Sequence, residues 1–176
     1  LKPRTQFTPF FDDVNVLSYI TPASQLQINE NASFTSSQNS GGDANELSRL
    51  FNNEPETAFD RGDVVFVSLR SGTPYTKDSS PATAVLVLNA DEPNTTNSIL
   101  HVVNLIGTFQ IGDTVTGSLS GETSVINATP IIKSSGQVPV SNLAGDVVGL
   151  FDIPNTDAVR FRTGVREFKL SDDATD

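Results

Sequence analysis

The sequence contains no cysteine, so no disulfide can staple it and no thiolate is available as a nucleophile or metal ligand. Tryptophan and methionine are also absent, tyrosine occurs only as Tyr19 and Tyr75, and the single histidine is His101. One histidine without cysteine excludes an ordinary zinc site. The scarcity of Trp and Tyr argues against the aromatic platforms of a saccharide cleft, and no GxxxxGK[ST] or GxGxxG phosphate loop occurs. Long apolar runs are missing too. Stretches such as 84–88 fall far short of the roughly 20 residues that a membrane-spanning helix needs. Basic residues are few: 11 Lys and Arg against 21 Asp and Glu give a formal net charge of -10. A phosphate backbone is repelled by such a surface, which argues against nucleic acid as a partner. The chain opens Leu1-Lys2-Pro3-Arg4, neither an initiator methionine nor a signal peptide, so an excerpt of a longer polypeptide is expected.

What is present reads as β-structure. Short runs rich in Phe, Val, Ile and Leu are separated by Gly, Pro, Asn, Asp and Ser, with no sustained helical period. The 176 residues suffice for one domain or two small β modules. Residues 1–57 are expected as an extended arm with a short strand at 14–19, a polar loop at 35–45 and one short helix. Pro3, Pro9 and Pro22 forbid a long helix near the start, and Asp12-Asp13 is a turn signal after Phe11. Asp43 can cap the helix, with Glu46 three residues on and Leu47, Leu50 and Phe51 as its apolar face. Residues 58–132 are expected as a small barrel or sandwich, with strands at 64–70, 84–89, 98–106, 114–118 and 124–128 and an exposed polar loop at 89–97. Strand alternation puts Val65, Val67 and Leu69 on one face. Residues 133–176 are expected as a strand at 147–153, a β-hairpin of 159–162 and 165–170 turning at Thr163-Gly164, and a polar exit. The fold class is therefore all-β: a small barrel or sandwich with one short helix and a C-terminal β-hairpin. Packing of the arm against the hairpin would bring the two end segments together.

One internal echo stands out. Gly62-Asp63, a strand, then Ser71-Gly72 and Thr73 are matched by Gly112-Asp113, a strand, then Ser120-Gly121 and, two residues on, Thr123. Two copies are too few for a solenoid and suit two hairpins of one β unit, with the turn glycines supplying positive φ.

Candidate chemistry is sparse. His101 lies among apolar neighbours with no GxSxG-type motif, and reads as a strand residue. Asp12, Asp13 and Asn15, or Asp172, Asp173 and Asp176, carry oxygens suited to calcium, but neither group has the spacing or terminal Glu of a calcium loop. Solvated turn carboxylates are the simpler reading, and no metal or cofactor is expected. The number of carboxylates leaves a glycosidase pair open. Arg61-Gly62-Asp63 spells an integrin-binding tripeptide and reads as a turn opening a strand. Asn31, Asn94 and Asn127 head glycosylation-type triplets, which arise readily in a chain rich in Asn, Ser and Thr. Arg160, Arg162, Arg166 and Lys169 form the one basic cluster, suited either to gripping an acidic partner or to the solvated face of a hairpin.

Three stretches resemble known proteins. Leu1-Lys2-Pro3-Arg4-Thr5-Gln6-Phe7-Thr8-Pro9-Phe10-Phe11-Asp12-Asp13-Val14-Asn15-Val16 is similar to a recurring segment of large structural proteins of contractile-tailed phages. Gly149-Leu150-Phe151-Asp152-Ile153-Pro154-Asn155-Thr156-Asp157 with Arg160-Phe161-Arg162-Thr163-Gly164-Val165-Arg166-Glu167-Phe168-Lys169-Leu170-Ser171-Asp172 resembles a repeated ending of the same proteins. The hairpin around 107–123 resembles a generic virion β-barrel hairpin. The resemblance implies a non-enzymatic component of a virion tail, baseplate or fibre, bound to other virion subunits as an oligomer such as a homotrimer. It implies no catalytic residues. Phe7, Phe10 and Phe11 in the arm, and Arg160, Arg162 and Arg166 in the ending, are the candidate interface residues. Alternatives are a receptor- or carbohydrate-binding module and an enzyme fragment such as a depolymerase.

Overall fold

The described residues of the structure, a computed structural model, are 1–29, 59–91, 97–142, 144–152 and 164–172. The expected helix and the 35–45 loop lie outside them, as do most of the 89–97 loop and the 159–162 arm of the C-terminal hairpin. Two units are distinguished, Gln25–Ile131 and Leu1–Ser24 with Ile132–Asp176. The chain thus leaves one unit after Ser24 and returns to it at Ile132. Among the described residues the only helical element is a single 3-10 turn, and no helix is long and apolar enough to cross a membrane.

In chain order the strands are β1 (Thr8–Phe11), β2 (Val14–Asn15), β3 (Ile20–Pro22), β4 (Ser24–Asn29), β5 (Val64–Arg70), β6 (Thr73–Pro74), β7 (Ala82–Asp91), β8 (Asn97–Gly107), β9 (Thr114–Gly117), β10 (Thr123–Val125), β11 (Gly149–Phe151) and β12 (Phe168–Ser171). The 25–131 unit is a nearly closed barrel-like sheet. Its strand order is β10-β9-β5-β7-β8-β4, with β6 beside β5. Closure is approached where the chain after β10 bridges back to β4, at Ile28 with Ile126 and Gln25 with Ile131. Period-2 alternation builds the interior: Val65, Val67, Leu86, Leu100, Val102 and Val115 are almost wholly buried, joined by Leu26 and Ile28 from β4. Each such side chain contributes about 1.5–3 kcal/mol by leaving water.

The expected strands at 64–70 and 114–118 correspond closely to β5 and β9, whereas β7 and β8 run longer than expected and the 124–128 strand forms as Thr123–Val125. Leu69 departs from the expected face. The register between β5 and β9 shifts between Val67 and Leu69, and this bulge turns Leu69 outward, 41% exposed. The sheet also takes in β4, a strand from the stretch expected as part of the arm.

In the other unit β1 pairs antiparallel with both β12 and β2, and β3 pairs with β11. Thr8 stands opposite Ser171 and Phe11 opposite Phe168, so the arm and the ending do lie together. Asp12 and Asp13 have φ of 48° and 61°, the signature of a two-residue type I′ hairpin between β1 and β2. The continuous strand expected at 14–19 is not formed. Asn15 Oδ1 accepts a hydrogen bond from the Leu17 amide at 2.9 Å, a local turn that bends the chain into the 3-10 turn Leu17–Tyr19 before β3 begins. The 147–153 strand is limited to Gly149–Phe151, and the strand expected at 165–170 starts only at Phe168.

Candidate functional site

Buried carboxylates are the natural place to look for chemistry, because perturbed acids cluster at functional sites. Among the described residues two occur, Asp63 and Asp113, exposed by 0% and 1%. Both follow the glycine of the repeated Gly-Asp turn, and their surroundings match step for step. The amide of each Asp donates to the carbonyl three residues back, Asp60 at 2.9 Å and Gln110 at 3.2 Å. Those same two residues donate their own amides to Asp63 Oδ2 at 2.8 Å and Asp113 Oδ2 at 2.7 Å. Gly62 and Gly112, with φ of 92° and 86°, donate to Leu86 and Ile126, which donate back to the carbonyls of Asp63 and Asp113. The match extends upstream to Phe59 and Phe109, both buried.

Because β5 and β9 run antiparallel side by side, each carboxylate reaches the far end of the other strand. Asp63 Oδ1 accepts from the Leu119 and Ser120 amides at 2.5 and 3.2 Å, and Oδ2 accepts from the Ser120 hydroxyl at 2.6 Å, all just past β9. Asp113 holds Arg70, the last residue of β5, through Nε and Nη2 at 2.7 Å each. Arg70 Nη2 also donates to the Thr108 carbonyl at 2.6 Å. Burial raises the Asp63 pKa, but the Ser120 hydroxyl and the amides of Leu119, Ser120 and Asp60 outweigh it, leaving the carboxyl below its ordinary value. The hydrogen bonds to Asp113 push the Arg70 guanidinium above its ordinary value. The oxygens of both acids are already engaged in clamping strand ends, which fits a structural role. It also closes the Arg61-Gly62-Asp63 motif to an external receptor, since the Asp63 carboxylate faces inward.

The remaining sequence candidates are mostly engaged as well. His101 lies buried in β8 opposite Leu88. Asp12 Oδ2 pairs with Arg166 Nη1 at 2.9 Å, and its Oδ1 accepts from the Glu167 amide at 3.2 Å. Asp172 pairs with Lys2 at 3.0 Å. Among the described residues no three His, Cys, Asp or Glu side chains gather as a metal site would require. Asn127 Nδ2, the acceptor atom of one glycosylation-type triplet, donates to Asn29 and Asn97 Oδ1 at 2.7 Å each.

A surface site does form in the unit that contains both end segments. Ile20, Pro139, Val148, Phe151, Phe168 and Leu170 line a half-open apolar groove of about 190 Å³. An apolar cavity of about 150 Å³ takes up benzene, so this groove has room for one aromatic or branched side chain. Phe11, Phe151 and Phe168 form a chain of tilted rings along it, with centroids 5.4 and 5.6 Å apart. Phe168, 46% exposed, stands at the rim. Of the candidate interface residues, Phe7 and Phe10 are buried within the chain, at 5% and 7%. Phe11 is half-buried in the ring chain, Arg166 is bound to Asp12, and Arg160 and Arg162 lie outside the described residues. Sequence reasoning missed Phe151, Phe168 and Leu170 as site residues. Their signal was alternation in two short segments whose pairing partners, Ile20–Pro22 and Thr8–Phe11, lie far earlier in the chain. No family model, no curated protein and no solved structure matches this chain.

Proposed function

We propose that the chain is a non-enzymatic structural module of a contractile-tailed phage virion, in its tail, baseplate or fibre, that positions neighbouring domains and binds partner subunits. The observation that carries this reading is the groove. Phe151, Phe168 and Leu170 come from the ending that resembles virion proteins, Ile20, Pro139 and Val148 complete the lining, and the groove offers apolar side chains, with Phe168 at the rim, to a partner. The polar chemistry of the barrel supports the same reading, because its two buried acids are consumed in holding strands. A partner that inserts an aromatic or aliphatic side chain beside Phe168 gains the burial of both groups.

The test is incorporation into particles. Phe168→Glu places a charge at an exposed rim position, so the variant should keep its melting temperature while particles carrying it lose the chain. Normal incorporation of a folded Phe168→Glu protein, or absence of the wild-type chain from purified particles, would refute the proposal.

A further inference from the structure

The outer face of the barrel carries a second surface, unrelated to the groove. Cross-strand pairing puts Thr123, Thr116, Phe66, Thr83 and Ile106 in one row across β10, β9, β5, β7 and β8. Their row neighbours on the opposite face, Val65, Ala84 and Val115, are core, so this row points away from it. Beyond the β5 bulge a second row aligns Leu69, Thr114 and Val125. Ile106 is 72% exposed and Val125 38%. The Thr116 hydroxyl donates to Ser68 Oγ at 2.7 Å, which spends its proton within the sheet.

Neither row contains a charge, although residues 25–131 hold twelve Asp and Glu against four Lys and Arg. Two copies of so acidic a unit repel each other through most orientations. The uncharged face is where they can approach, and a basic partner would gain nothing by choosing it. The row is also close to self-complementary. A two-fold axis through Phe66 lays Thr116 against Thr83 and Thr123 against Ile106, as an isologous contact between stacked sheets requires. We infer that this face is a self-association surface, and that its partner is the same face of a second copy of this chain.

The row spans five strands at about 4.8 Å spacing, or roughly 20 Å. A strip of that length and one or two side chains wide covers well under the area of a standard interface, about 800 Å² per partner, so the pairing is weak, with a dissociation constant on the order of 100 μM. Sedimentation of the whole chain over a concentration series that brackets this value reads it directly. The mass should rise from monomer towards dimer, and added salt should strengthen the association by screening the acidic repulsion. Ile106→Arg should stay monomeric throughout with an unchanged melting temperature, whereas Phe168→Glu should associate like the wild type. A wild type that remains monomeric, or an Ile106→Arg variant that associates normally, would overturn the inference. So would loss of association in Phe168→Glu alone, which would place the contact in the groove.

Discussion

At the scale of single residues, the two carboxylate clamps hold buried charge that is costly to strand. Removing one partner of a buried ion pair strands the other charge, so Arg70→Ala, which leaves Asp113 unpaired at 2% side-chain exposure, should cost about 3–5 kcal/mol by chemical denaturation. A loss below about 1 kcal/mol would mean that the pair is solvated and of little weight. Asp63 gives a pH dependence. Its folded pKa lies below the unfolded value of about 4, so its contribution is fully present above that pH and is lost as pH falls through the lower folded value. Asp63→Asn should therefore be less stable at neutral pH and lose less stability on acidification than the wild type. Parallel pH profiles would contradict this. Gly117 serves by size alone. A β-carbon there would collide with the Asp63 carboxylate and the Ser120 hydroxyl, so Gly117→Ala should destabilise by about 1–3 kcal/mol despite an ordinary backbone conformation.

At the scale of elements, Gly164 has the positive φ expected of it, 120°, with open space where a β-carbon would sit, while the hairpin expected around it falls on residues outside the described ones. Gly164→Ala should cost about 1 kcal/mol from backbone strain alone, measured as a shift in denaturation midpoint, and no shift would mean that the turn adapts. The same comparison marks what sequence could reveal. The turn signal at Asp12-Asp13, alternation in β5 and β9 and the duplicated Gly-Asp turn are local signals, and each corresponds to a local structure. The Asn15 turn that interrupts 14–19 is local, a side-chain acceptor bound two residues on, but the bulge that turns Leu69 outward and the recruitment of β4 depend on partners distant in sequence. β4 offers only Leu26 and Ile28 between polar residues, and its place is fixed by β8 and Ile126. The reciprocal grip of the two clamps was likewise hidden, because a repeat seen in sequence does not say that its copies lie side by side.

At the scale of the whole molecule, the chain departs from and returns to one unit through adjacent residues. Gln25 and Ile131 exchange both backbone hydrogen bonds, at 2.9 and 3.0 Å, so the barrel segment begins and ends as a matched pair. Residues 25–131 expressed alone should therefore melt in one cooperative transition, and a gradual one would show that the barrel needs the remainder. The central claim is that the unit built from both end segments meets a partner subunit through the groove at Phe168. Hydrogen exchange on the isolated chain and on assembled particles tests this most directly. New protection is expected at 147–151 and 168–170 on assembly, with the core of β5 and β9 unchanged. Protection that appears instead in the polar stretches 35–45 and 89–97, with the groove exchanging as in the free chain, would contradict it.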